Sequence, residues 1–222
     1  MTTKNVGVIG LGAMGLGIAK TLRNNGYNVH ACDVRPGSAA DFAKDGGVAC
    51  SSPADLAARV DVVISVVVNA AQTESVLFGE QGAAAAMKAG SVFVMCSTVD
   101  PNWSIALEAR LAEAGILYVD GPISGGAAKA AAGQMTMMTS ARPEAYAVAG
   151  EVLDNMAGKV YRLGDQAGAG SKVKIINQLL AGVHIAVAAE AMALGLREGV
   201  DAAGLYDCLL YTSDAADDLL CV

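Results

Sequence analysis

The sequence lacks most of what would mark a metal, disulfide or nucleic-acid protein. Its two histidines, His30 and His184, lie far apart with no cysteine or carboxylate at ligand spacing, so no metal centre is expected. The five cysteines are odd in number, scattered and free of any C-x-x-C pair, which fits reduced thiols in a reducing compartment. No basic cluster is present and the net charge is -7, which argues against nucleic acid as a partner. No uninterrupted apolar run reaches transmembrane length, and Met1-Thr-Thr-Lys-Asn5 passes straight into strand-like sequence without a signal-peptide core. These absences lead us to expect a cytoplasmic protein with no membrane partner.

Apolar residues and glycine are plentiful. Hydrophobic residues make up 54% of 222 positions, enough for one large domain or one and a half. From the first residues onward, strand-like and helix-like stretches alternate. Strands are expected at Val6–Ile9, Tyr27–Asp33, Val48–Cys50, Asp61–Val68, Ser91–Cys96, Ile116–Val119, Gln134–Thr139 and Lys159–Leu163. Asp61–Val68 is a nearly continuous apolar run in which only Asp61 and Ser65 are polar, as suits a strand at the centre of a parallel sheet. The expected fold is α/β: a Rossmann-type, doubly wound, mostly parallel sheet over residues 1–164.

The opening stretch carries the clearest chemistry. Gly10-Leu-Gly-Ala-Met-Gly15 has the G-x-G-x-x-G spacing between a strand and a helix, and Asp33 ends the next strand 18 residues after Gly15. Gly10 permits the tight turn, Gly12 admits a pyrophosphate close to the backbone, and Gly15 lets helix and strand pack closely. The diphosphate would rest on the amino end of the helix, with the Asp33 carboxylate on the adenosine ribose. The expected cradle comprises Gly10, Leu11, Gly12, Ala13, Met14, Gly15, Asp33, Val34, Arg35, Asn69 and Thr98. Asp33 favours NAD over NADP by repelling a 2′-phosphate, although Arg35 two residues on could pair with one. Asn69 and Ser97 read equally well as helix caps or as cofactor contacts.

From Gly168 to about Arg197 apolar residues recur every three or four positions (Val173, Ile176, Leu180, Val183, Val187, Ala191, Leu194), giving one helix of nearly thirty residues. It reads as a spine leading into a second, helical domain. Lys174 and Asn177 are one turn apart on it. From spacing alone Lys174 reads as a solvated helix lysine like Lys172. Ser124, followed by Gly125 and Gly126, offers a hydroxyl and open backbone N–H groups suited to an anion.

Four motifs occurring in order resemble the β-hydroxyacid dehydrogenase family, which includes 3-hydroxyisobutyrate dehydrogenase, tartronate semialdehyde reductase and L-threonate dehydrogenase. They are Gly10-Leu-Gly-Ala-Met-Gly15, Cys96-Ser-Thr-Val-Asp-Pro101, Asp120-Gly-Pro-Ile-Ser-Gly-Gly126 and Gly168-Ala-Gly-Ser-Lys-Val-Lys-Ile-Ile-Asn177. The wording from Val173 to Ala186 most resembles the L-threonate branch. The resemblance implies that Lys174 is the catalytic general acid/base assisted by Asn177, that Ser124, Gly125 and Gly126 hold the substrate carboxylate, and that Thr98 contacts the nicotinamide ribose. It further implies NAD as cofactor, a small hydroxy acid as substrate, and a homo-oligomeric full-length protein. Residues 165–207 would be the long helix and the start of a truncated helical domain. Residues 208–222 depart from the family pattern and read as a non-native tail, so a cofactor-binding fragment without turnover is the competing expectation.

Overall fold

The computed structural model describes residues 4–212. The strands are β1 (Asn5–Ile9), β2 (Asn28–Cys32), β3 (Val48–Ala49), β4 (Val62–Ser65), β5 (Val92–Met95), β6 (Leu117–Asp120), β7 (Ile123–Ser124), β8 (Thr136–Ala141) and β9 (Lys159–Arg162). The helices are α1 (Gly15–Asn24), α2 (Ser38–Lys44), α3 (Pro53–Ala57), α4 (Ala70–Phe78), α5 (Pro101–Glu113), α6 (Gly126–Ala131), α7 (Pro143–Met156), α8 (Ala169–Arg197) and α9 (Ala202–Thr212).

Strand order is β3-β2-β1-β4-β5-β6-β8-β7, with β9 paired to β8. The first six are parallel, whereas β8 runs antiparallel to β6 and β7. Every central strand is apolar on both faces because helices cover both. Val6, Val8, Val62, Ile64, Val92 and Val94 face a core closed by α1, α2, α6 and α7, while Ile9, Val63, Phe93 and Met95 face one closed by α3, α4 and α5. The doubly wound, mostly parallel Rossmann-type sheet expected from the sequence is the observed fold.

The register lines up the strand ends. Ile9 pairs with Cys32 and Ser65, Ser65 with Met95, and Met95 with Asp120, so these five residues form one row across the sheet. Gly10, Asp33, Val66, Cys96 and Gly121 therefore leave the sheet along a single carboxyl edge. The order reverses between β1 and β4, which is where such sheets open a ligand crevice.

Local sequence explains where the elements start. Ser52 caps α3 and Asn69 caps α4 through their side-chain oxygens, and Asp100 accepts the N–H groups of Asn102 and Trp103 at the start of α5. Pro53, Pro101 and Pro143 occupy first turns, where their missing N–H costs nothing.

The apolar run Asp61–Val68 yields a strand of only four residues. The Val66 N–H still pairs with the Ile9 carbonyl at 2.8 Å, but the Val68 N–H is taken by the Gln72 side chain at 2.8 Å, and the Val68 side chain is 75% exposed. β7 and α6 are not among the elements expected from the sequence. They are short, and no periodicity survives in two and six residues.

The chain divides between Ile175 and Ile176 into two compact units. The unit holding the sheet thus runs past residue 164 and takes in the first turns of α8, which bury Gly170, Ser171 and Lys174. Beyond them, Ile176, Leu180, Val183, Val187 and Leu194 of the periodic apolar set are exposed among the described residues, and Ala191 is half-buried. By length and apolar composition alone α8 could cross a membrane. Asn177, Gln178, His184 and Glu190 interrupt its apolar run, so no uninterrupted one is present in the sequence. α9 continues through Thr212, so positions 208–212 of the expected tail are helical, and 213–222 lie outside the described residues.

Candidate active site

The glycine turn has the geometry its spacing predicted. Gly10 has φ +94, and a Cβ there would lie 2.4 Å from the Val66 carbonyl oxygen. A Cβ on Gly15 would lie 1.8 Å from the Gly10 carbonyl oxygen, so the strand-to-helix contact admits no side chain. A Cβ on Gly12 would meet nothing within 4 Å. Unlike α3, α4 and α5, α1 has no side-chain cap, and its first turn carries no acidic residue. An uncapped helix start beside an open approach to Gly12 is what a diphosphate requires. Within the same turn Leu11 is buried, Met14 is half-buried and Ala13 is exposed.

Asp33 faces this turn. Its Oδ2 accepts the Leu11 N–H at 2.6 Å, and its Oδ1 accepts the Arg35 N–H at 2.7 Å. The Arg35 guanidinium folds over it, with Nε 3.1 Å from Oδ1 and Nη2 2.7 Å from the Leu11 carbonyl oxygen. Burial by itself would raise the Asp33 pKa, but the hydrogen bonds from Arg35 and Leu11 together with the guanidinium charge outweigh it and hold the carboxylate below its usual range. Val34, between the two, is fully exposed. These groups fit a dinucleotide: bare backbone and a helix start for the phosphates, and an ionised carboxylate for a ribose.

Further along the edge, Asn69 spends its side-chain oxygen on the Gln72 N–H at 3.0 Å, which leaves its amide nitrogen as the group able to face a cofactor. Ser97 is buried, donating to the Val67 carbonyl at 2.7 Å, whereas Thr98 is exposed at the rim. Ser124 ends β7, and Gly125 and Gly126 take φ +123 and +73, conformations that glycine alone adopts freely.

Lys174 is 6% exposed. Lys172, two residues earlier on α8, is exposed, so the two lysines that look alike in sequence have different surroundings. Desolvation by burial lowers the Lys174 pKa, the direction a general base at neutral pH needs. Asn177, one turn on, is half-buried.

What holds the start of α8 does not follow from the spacing of residues in the sequence. Asp120, at the end of the strand row, is fully buried and accepts the N–H groups of Gly168 and Ser171 at 2.9 Å each and the Ser171 hydroxyl at 2.6 Å. An aspartate closing an apolar strand was the available signal, read at Asp33 and overlooked here.

Residues 5–164 match the family model of the NAD binding domain of 6-phosphogluconate dehydrogenase, and residues 168–216 match that of the NAD-binding region of NADP-dependent 3-hydroxyisobutyrate dehydrogenase. The L-threonate dehydrogenase of Cupriavidus necator is 62% identical over 95% of this chain and 71% of its own length. The chain belongs to the 3-hydroxyisobutyrate dehydrogenase-like family. It is an NAD(P)-binding hydroxyacid dehydrogenase, an oxidoreductase acting on a CH–OH group.

Other members of this dehydrogenase family agree. The L-threonate dehydrogenase of Escherichia coli K12 is 42% identical over 91% of this chain and 68% of its own length. A crystal structure of 3-hydroxyisobutyrate dehydrogenase from Salmonella typhimurium superposes with a TM-score of 0.90 at 42% identity, covering 94% of this chain and 73% of that one. The family match from 168 to 216 also takes in part of the stretch that departs from the motif pattern.

Proposed function

We propose that this dehydrogenase oxidises L-threonate with NAD, using Lys174 as the general acid/base. The observation that carries the reading is the burial of Lys174 on α8, whose amino end is fastened to Asp120 on the strand-end row that also bears the glycine turn. The 62% identity to an L-threonate dehydrogenase supports the choice of acid.

When bound, the nicotinamide supplies the acceptor for the substrate's carbon-bound hydrogen as hydride. The backbone at Gly10, Leu11, Gly12, Ala13, Met14 and Gly15 would hold the diphosphate, Asp33 the adenosine ribose, with Val34, Arg35 and Asn69 beside it, and Thr98 the nicotinamide ribose. The Ser124 hydroxyl and the N–H groups of Gly125 and Gly126 would receive the substrate carboxylate. Lys174 takes the proton of the substrate hydroxyl as the alcohol becomes a carbonyl and returns it in reverse, with Asn177 assisting. An ordinary lysine titrates near ~10.4 and must fall to about 7–8 for this task; burial acts in that direction.

The NAD preference rests on Asp33, whose charge faces the place a 2′-phosphate would occupy, and on Arg35 being engaged by Asp33 and Leu11. Residues 1–164 as the NAD-binding domain and residues 165–207 as the long helix and the start of a helical domain complete the reading. The test is turnover of Lys174→Ala with L-threonate, beside calorimetry with NADH. Lost turnover with retained NADH binding is expected; retained turnover contradicts the mechanism, and faster turnover of 3-hydroxyisobutyrate than of L-threonate contradicts the substrate.

A further inference from the structure

An α-helix begins with N–H groups that have no partner inside it. At the start of α8 the cap position is Gly168, with φ +106 and no side chain to offer. The partners come instead from two strands. Asp120 Oδ2 on β6 accepts the Gly168 and Ser171 N–H groups at 2.9 Å each, and Oδ1 accepts the Ser171 hydroxyl at 2.6 Å. Ser140 on β8 accepts the Gly170 N–H at 3.0 Å and donates its own hydroxyl to Asp120 Oδ2 at 3.3 Å. Asp120 and Ser140 are both 0% exposed. A carboxylate in this place also meets the positive end of the helix dipole without competition from water.

Gly170 makes the contact possible. A Cβ there would fall 2.5 Å from the Met138 carbonyl oxygen and 2.7 Å from the Asp120 carbonyl oxygen, so α8 starts at backbone contact with the sheet. Lys174 follows Gly170 by four residues and therefore lies on the same helix face. Gly170, Ser171 and Lys174 are the residues this helix buries.

We infer that Asp120 is a positioning residue: by gripping the first turn of α8 it fixes where the Lys174 amine stands along the carboxyl edge of the sheet. The catalytic meaning of this anchor rests on the proposed role of Lys174, while its structural content does not. The segment Asp120–Gly126 then serves both partners of the reaction, since Asp120 sets the base and Ser124, four residues on, lies where the substrate carboxylate is proposed to bind. A displacement of about 1 Å at the reacting groups costs on the order of a hundredfold in rate, so a single lost anchor is visible in kinetics.

The experiment is pulse acetylation with acetic anhydride, read at Lys174 by peptide mass spectrometry with Lys172 as the reference in the same chain. Compared as limiting rates of the unprotonated amines, taken from the pH dependence of labelling so that the lowered Lys174 pKa does not enter, Lys174 in the unaltered protein should label about tenfold or more slowly than Lys172, as a closed site does relative to an open one. In Asp120→Ala the ratio should move toward unity. Asp120→Asn keeps a carbonyl oxygen for the two N–H donors and turns its amide nitrogen to the Ser171 oxygen, so it should restore most of the protection. In turnover, Asp120→Ala should lower kcat about a hundredfold with KM for the cofactor little changed. It should also move the acid limb of the kcat–pH profile upward, because a less buried amine regains protons.

A folded Asp120→Ala protein with Lys174 as protected as before overturns the inference. If Asp120→Ala does not fold, Ser171→Ala, which removes only the 2.6 Å bond, is read in the same way, and an unchanged ratio there overturns it. Retained turnover in Lys174→Ala would defeat the proposed mechanism and leave the labelling result standing, so the two failures are told apart.

Discussion

Asp33 Oδ2 accepts the Leu11 N–H at 2.6 Å, tying the carboxylate that follows β2 to the turn that follows β1. Arg35 closes over the pair, its Nη2 3.2 Å from Asp33 Oδ2 and 2.7 Å from the Leu11 carbonyl oxygen. The NAD preference proposed above rests on these three residues, which hold one another. In Asp33→Ala the loss of a charged hydrogen-bond acceptor should weaken NADH binding by about 1.5–3 kcal/mol. The freed Arg35 should raise the ratio of NADP-linked to NAD-linked turnover. Calorimetry and paired initial rates measure both, and an unchanged ratio would remove Asp33 from the specificity account.

Two of the demands on the glycine turn can be separated. A Cβ on Gly15 collides with the Gly10 carbonyl oxygen, whereas one on Gly12 enters open space. Gly15→Ala should therefore destabilise the fold by about 1–3 kcal/mol or more, as overpacking does. Gly12→Ala should leave the melting temperature unchanged and weaken NADH binding about tenfold or more, equivalent to roughly 1.4 kcal/mol. Equal behaviour of the two variants in thermal melts and titrations would contradict the assignment.

Burial of Lys174 carries a cost to stability with a defined pH dependence. Desolvation lowers its folded-state pKa, so between that value and ~10.4 the unfolded chain binds more protons and stability rises with pH. Below the folded value the penalty is present in full. Lys174→Met should be more stable than the parent at neutral pH, with the advantage shrinking as pH approaches ~10.4. Thermal unfolding across that range decides it, and a variant no more stable at neutral pH would show that the amine is not desolvated.

Most of the sheet was legible because each strand from β1 to β6 is a short apolar run bounded by polar or glycine-rich turns. Val66, Val67 and Val68 misled because hydrophobicity does not say when a neighbouring strand ends. β1 finishes at Ile9, and beyond that row β4 loses its partner. Lys172 and Lys174 show the other limit: periodicity gives both the same helix, and only the packing of Gly170 and Ser171 against β6 and β8 decides which lysine is buried. Asp120 belongs to this second kind, since its partners lie 48 and 51 residues away in sequence.

The central claim is that the Lys174 amine stands at the nicotinamide end of the cofactor crevice, and a crystal structure of the protein with NADH tests it most directly. The account predicts the diphosphate on the backbone around Gly12, and the Lys174 Nζ facing nicotinamide C4 across a gap that one hydroxyl-bearing carbon fills. An Nζ directed into bulk solvent, away from the ring, would contradict it.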